Sequence, residues 1–336
     1  MSSCCTSRAS TGSRCGRRRC SIATTTSRAR YASPRTRRRC CAIWRASAGT
    51  TGGGATPDER RLVVNADDFG FSAGVNRGIL EAHAAGVVSS VSVLVNTPGW
   101  PDARDRLRAI GGTLGVGLHL NLTTGAPLTT APSLTTPPPT ARFHSLAALV
   151  ARALTGRLDP AHVSAECAAQ LARLREAGVR VTHIDSHRHV HVLPGVWGVV
   201  IETARREWVP VVRVPLEPLS PRAASWRALL KQATLAAAWG VASRRSGAAV
   251  PRHADRFYGI SLQGDPRFLA RVVALLDRLE PGTTELMVHP GHPDGDLAGW
   301  DDYTTPRAAE LAALTSSVVR ARFASGAFRL VHFGAL

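Results

Sequence analysis

From about residue 59 the chain alternates short apolar runs of β type with longer Ala-, Leu- and Arg-rich segments of helical period. That alternation is the pattern of an α/β fold with parallel strands. Strands of such a sheet are covered on both faces, so they read as continuous apolar runs. "RLVVNA" (61–66), "VVSSVSVLVN" (87–96), "LGVGLHLNL" (114–122), "VRVTHIDS" (179–186), "VPVVRVP" (209–215), "TELMVHPG" (284–291) and "FRLVHF" (328–333) supply them. Between them, "AGVNRGILEAHAAG" (73–86) sets Val75, Ile79 and Ala82 on one side of a helix, with Gly86 as its stop. "DARDRLRAIG" (102–111), "AECAAQLARLREAG" (165–178) and "PRAAELAALTSSVVRARFAS" (306–325) read as further helices. Seven or eight such units predict one (β/α) barrel domain over residues 59–336, close to the roughly 250 residues typical of that fold. An open doubly wound sheet is the alternative, but no G-x-G-x-x-G follows the first strand, so a dinucleotide fold has no support. Two stretches interrupt the pattern. The Pro/Thr-rich 125–140 reads as a surface loop, a candidate cover for a site, and the Arg/Ala-rich 216–256 as a helical, peripheral excursion.

Residues 1–58 are of another kind. They have no sustained apolar period, and the first 57 hold twelve Arg, no acidic residue and six of the seven Cys. Of the formal net charge of +18, twelve belong to this stretch, leaving +6 for the rest. The spacing of Cys4, Cys5, Cys15, Cys20, Cys40 and Cys41 lacks the paired knuckles and His partners of a zinc module. No apolar stretch follows the Arg runs, as an export signal would require. The expectation is a disordered basic extension, or sequence translated from upstream of the true start, rather than a nucleic-acid arm. Only Cys167 lies beyond it, so disulfides are not expected to hold the fold, and a cytoplasmic setting is the default. No run of 18 apolar residues occurs, so no membrane span is expected.

Ionisable residues cluster where the apolar runs stop. Asp67 and Asp68 follow "RLVVNA", His119 lies late in the third run, His183 to His191 end the fourth, Arg213 the fifth and His289 the sixth. In a parallel barrel those strand ends form the catalytic face. In an extended chain His187, His189 and His191 would share one side, which suits a metal. Carboxylate and imidazole together suit Zn²⁺, with Mn²⁺, Co²⁺ or Mg²⁺ as alternatives. Neighbours on a regular strand face opposite ways, so Asp67 and Asp68 converge only if the strand ends there, and Phe69-Gly70 offers a turn. Arg213 is expected either to hold a substrate group or to pair with an acid such as Asp185.

"VNADDFGFSAGVNRGILEAHAAGVVSSVSVLVN", "GVGLHLNLTTGAPL", "THIDSHRHVHVLP" and "ELMVHPG" resemble, in order, the signatures of the YdjC-like (ChbG-type) carbohydrate deacetylases, over about residues 61–335. The resemblance implies a distorted TIM-type barrel that removes N-acetyl groups from amino sugars and holds one divalent ion. It implies Asp68, His119 and His187 as the ligands and Asp67 as catalytic base, with His289 the candidate acid. Arg188 stands where the family often has His. The implied substrate is a small carbohydrate: a chitooligosaccharide, an N-acetylglucosamine glycolipid or an acetylated hopanoid head group. Rival readings are a metal-dependent phosphoesterase, another amidohydrolase, or a sugar-binding member without activity. No specific nucleic-acid partner is expected, and a homodimer is the commonest form for a soluble oligomer.

Overall fold

In the computed structural model the described residues are 58–218, 225–247 and 249–336. The expected extension therefore lies outside them. Strand β1 (Arg60–Phe69) is followed by α1 (Ala73–Ala84), β2 (Ser90–Val93), α2 (Trp100–Ile110) and β3 (Gly115–Leu120). Helices α3 (Leu146–Leu154) and α4 (Pro160–Arg175) precede β4 (Val181–Ser186). Then come α5 (Trp197–Arg206), β5 (Val211–Val212), α6 (Trp226–Ser246), β6 (Arg256–Tyr258), α7 (Phe268–Leu276) and β7 (Gly282–Val288). A short α8 (Gly295–Ala298), α9 (Thr305–Leu314), α10 (Ser317–Ala324) and β8 (Arg329–Leu330) complete the order.

All strand pairings between these elements are parallel, in the order β5-β4-β3-β2-β1-β7-β6. The two ends of that path meet. Val211 bridges Arg252, just ahead of β6, and the Val212 N–H donates to the Arg252 carbonyl at 3.0 Å. The sheet is thus a distorted barrel rather than an open doubly wound sheet. The distortion lies at β8. Strand β7 takes one edge of β1 along Arg60–Ala66, so β8, on Arg61–Leu62, shares the other edge with β2. Strands β5 and β8 are shorter than expected for local reasons. Pro210 and Pro215, which lack N–H groups, flank β5. Beyond β8 the Ser89 hydroxyl donates to the Val331 carbonyl and the Ser90 hydroxyl accepts from the Phe333 N–H, replacing ladder bonds.

Helix α1 starts where Ser72 accepts from the Val75 N–H. Val75, Ile79 and Ala82 are fully buried on its inner face, each large apolar side chain contributing about 1.5–3 kcal/mol. The expected single helix over 306–325 is two helices, because Ser316 turns extended and caps the second by accepting from Val319 N–H. The 125–140 loop does not cover the site. Buried Glu166 of α4 accepts from the backbone N–H groups of Leu128 and Thr129 and pins the loop there. Within the 216–256 excursion the helix α6 forms, as expected, but it is not peripheral: it walls the cavity described below. Among the described residues no helix is long and apolar enough to cross a membrane.

Candidate active site

The strand ends gather the charged residues into the floor of a cavity of about 930 Å³. Asp67 and Asp68 both line it. They converge not because β1 ends but because it bulges. Between Ala66 and Phe69 the register against β2 slips, and Asp68 takes a left-handed φ of 70°. Gly70 then turns the chain at φ +99°, with the Leu94 carbonyl where a side chain would stand. Asp68 Oδ1 lies 3.2 Å from His119 Nε2 and 3.0 Å from His187 Nδ1, so the three form one cluster.

Each member is held from behind. Asp185 Oδ1 sits 2.7 Å from His119 Nδ1, and an ionised carboxylate can only accept, so Nδ1 carries a proton and Nε2, which faces Asp68, is the ring atom an ion would take. Asp185 is held well below the usual carboxylate range: burial opposes this, but Arg213 and His119 outweigh it. Asp68 is likewise held low, Arg307 and His187 overcoming burial. Burial alone would lower His119, yet Asp185 and then Asp67 push it up to about 10.

Arg213 is buried and spent. Its guanidinium donates to both oxygens of Asp67 at 2.7 Å and to Glu285 Oε1 at 2.6 Å, and Nη1 lies 2.7 Å from Asp185 Oδ2. It is not among the residues that line the cavity, and its partners are carboxylates, which favours the expected pairing with Asp185 over the expected hold on a substrate group. Asn65 adds a donor to Asp67 Oδ1 at 2.7 Å. Its bond to the Ser92 hydroxyl, which donates to Asp185 Oδ2 at 2.6 Å, ties the two carboxylates together.

The His-rich run divides by position. Strand β4 stops at Ser186, and residues 187–192 form a 3-10 turn with Arg188 and His189 left-handed, so alternate residues no longer share a side. His187 reaches Asp68. His191 lies between the Ser186 hydroxyl and the Arg213 carbonyl, at 2.6 and 3.0 Å. His183 shares the side of Asp185 but does not line the cavity: its Nε2 lies 3.1 Å from the Ser92 hydroxyl and its ring sits over Gly117, where any side chain would strike it. Burial pushes His183 down to about 3 and His191 to about 4. His189 lines the cavity with a buried Nδ1 that has no partner.

Sequence reasoning missed the second charged layer, from the segment after β7. Arg307 Nη2 donates to Asp68 Oδ2 and Asp301 Oδ2, both at 2.6 Å, and its Nη1 is buried without a partner. Glu310 accepts the His289 N–H at 2.6 Å, and the Tyr303 hydroxyl donates to it at 2.5 Å. The signal available was the loop "WDDYTTPR" at the end of a barrel strand. Arg307 and Glu310 are charged residues three apart on a helix, yet they are 0% and 2% exposed.

The residues present fit a divalent ion. Three lone-pair donors, one carboxylate and two imidazoles, lie together, and His187 Nε2 is buried without a partner. Five carboxylates, of Asp67, Asp68, Asp185, Glu285 and Asp301, face only two guanidiniums, of Arg213 and Arg307. A second grouping of Asp67, His119 and Asp185 shares His119 with the first, and Arg213 already occupies its carboxylates. It is not an independent second metal site of the kind a two-metal phosphoesterase needs.

A family profile described as YdjC-like protein matches residues 61–325. A carbohydrate deacetylase of Geobacillus stearothermophilus is 36% identical over 275 residues, covering 82% of this chain and 97% of that one. A chitooligosaccharide deacetylase of Yersinia pestis is 34% identical over 283 residues, covering 82% and 98%. Among solved structures, an Enterococcus faecalis V583 protein named for cellobiose-phosphate cleavage superposes with a TM-score of 0.63 at 26% identity, over 82% of this chain and 98% of that one. The motifs, the barrel and these relatives agree over the same span, and the chain belongs to the YdjC-like family.

Proposed function

We propose that this protein is a metal-dependent hydrolase that removes the N-acetyl group from an N-acetylated amino sugar. The observation that carries the reading is the convergence of Asp68, His119 and His187 on one point of the cavity floor, with Asp67 and His289 also lining it. The names of the relatives support the amide of an amino sugar as the bond attacked. Asp68, His119 and His187 would hold the ion, and two imidazoles favour Zn²⁺ over Mg²⁺. When bound, such an ion acidifies a water and takes part of the charge that develops on the acetyl oxygen.

The chain's own residues manage the protons. Asp67, aligned by Arg213 and Asn65, keeps Oδ2 within 4.0 Å of His119 Nε2 and is the group to take the proton of the attacking water. The amine departs only with a proton, which His289 delivers. Burial pushes His289 down to about 4, so its ring is neutral at pH 7. Behind it, burial pushes Glu310 up to about 7 despite the Tyr303 and His289 hydrogen bonds, and its Oε1 lies 4.0 Å from His289 Nδ1. Glu310 is thus the reservoir for the proton that His289 passes on.

The test is acetate release from N-acetylated sugars, with and without chelator. Asp68→Asn should lose bound metal, whereas Asp67→Asn should keep it and lose about 10²–10⁴ in kcat. Chelator-insensitive release, or equal metal loss in both variants, would refute the assignment.

A further inference from the structure

The floor of the cavity is polar, and its walls are mostly apolar, with Arg227 and Lys231 of α6 the charged side chains among them and Lys231 donating to Gln263 at 2.7 Å. Helix α6 sends Trp226, Leu230, Thr234, Ala238 and Val241 into it, at the spacing of one helical face. Helix α3 answers with Leu146, Val150 and Leu154, again one face. An amphipathic helix normally turns such a stripe to the core. Here the large members stay in water: Trp226 is 69% exposed, Leu154 64%, Leu230 60%, Val241 39% and Leu146 36%. From residue 226 to 241 the α6 stripe runs about 22 Å along the helix axis. Exposed apolar surface of this extent marks a place where something binds.

The occupant is set by continuity and by chemistry. The stripes and the Asp68–His119–His187 cluster line one and the same cavity, so whatever lies along the walls is joined to whatever reacts at the floor. Further sugar rings would present hydroxyls to Leu, Val and Ala, and polar groups left unpaired on desolvation weaken binding. Of the stripe side chains only Trp226 offers an aromatic face. A hydrocarbon suits such walls.

Resting on the deacetylase reading, we propose that the substrate is an amphiphile: an N-acetylated amino sugar glycosidically linked to an extended apolar aglycone. The sugar's acetamido group meets the floor, and the aglycone lies between α3 and α6. The arrangement selects lipid-linked amino sugars over soluble oligosaccharides.

The test compares the zinc-loaded full chain on the methyl, hexyl and octyl β-glycosides of N-acetylglucosamine and on N,N′-diacetylchitobiose, all below micelle-forming concentrations. Each methylene that leaves water can raise affinity by up to about fourfold, so kcat/KM for acetate release should rise about tenfold or more from methyl to octyl. The double variant Leu154→Asn/Leu230→Asn, both positions exposed, should bring the octyl-to-methyl ratio toward one. A flat chain-length profile with the chitobiose preferred would overturn the inference and leave the deacetylase reading standing. So would a steep profile that the double variant does not change, or a dimer that the variant dissociates with no effect on the profile. If no glycoside releases acetate, the deacetylase reading fails. Calorimetry of octyl-glycoside binding then decides for the groove if the double variant weakens it, and against the groove if no binding is seen.

Discussion

Replacing Arg213 by Met keeps the volume of the side chain and removes its charge from the centre of the barrel. Three carboxylates lose their partner at once: Asp67, gripped by two parallel bonds of 2.7 Å, Asp185 at 2.7 Å and Glu285 at 2.6 Å. All four side chains are at most 2% exposed, so water cannot take over. Removing one partner of a buried ion pair costs about 3–5 kcal/mol, and the stranded charges are the larger part of that cost. Part of the strain relaxes by protonation, since burial already pushes Glu285 up to about 7 against the pull of Arg213. The loss must therefore depend on pH. In the wild type the depressed Asp185 contributes stability that is present above its unfolded value of about 3.8 and lost as pH falls through the folded value. That contribution is constant between pH 7.5 and 4.5, but in the variant the stranded buried carboxylates are raised instead and take up protons as pH falls. Their penalty then fades, so the two proteins differ most at neutral pH and draw closer toward pH 4. Urea denaturation followed by far-UV circular dichroism at pH 7.5 and 4.5 measures both terms. Arg213→Lys, which keeps the charge but not the paired bonds to Asp67, should lie between the two. A loss below about 1 kcal/mol at pH 7.5, or one that does not shrink at pH 4.5, would refute the argument. Intact stability with a raised KM would return Arg213 to the substrate.

Asp185→Asn should cost about 10–100-fold in metal affinity without touching a ligand. Arg213 and Ser92 donate toward Oδ2, so the amide nitrogen must turn to His119 Nδ1, and the lone pair that Nε2 offers is lost; unchanged zinc affinity by chelator competition would count against this. Glu310→Gln bears on proton supply. A carboxyl raised from 4.5 to about 7 gives stability that is present below about 4.5 and lost as pH rises through about 7. The amide does not titrate, so relative to wild type the variant should gain up to about 3 kcal/mol between those limits. Melts at pH 4.5 and 8 read the gain, and a pH-independent offset would show that Glu310 does not titrate there. The same variant should lower turnover if Glu310 holds the proton that His289 delivers.

The sequence by itself determined the layers. Continuous apolar runs spaced by helical segments allow little but parallel strands covered on both faces, and polar residues at the ends of those runs locate the catalytic face. It also named Asp67, Asp68, His119, His187 and His289, though the choice of His187 within its run came from the family's motif and not from spacing. Local periodicity says which side of a segment is apolar, not what lies against it. Whether Asp68 turned inward depended on a bulge that exists only when β2 is beside β1. Arg307 meets Asp68 across 239 residues, and Arg213 meets Asp67 across 146. Such pairs form only on closure of the barrel, where burial makes an unpartnered charge too costly to leave. The stripe of α6 shows the same limit: its spacing was legible, but only the tertiary structure turned it from the core toward the cavity.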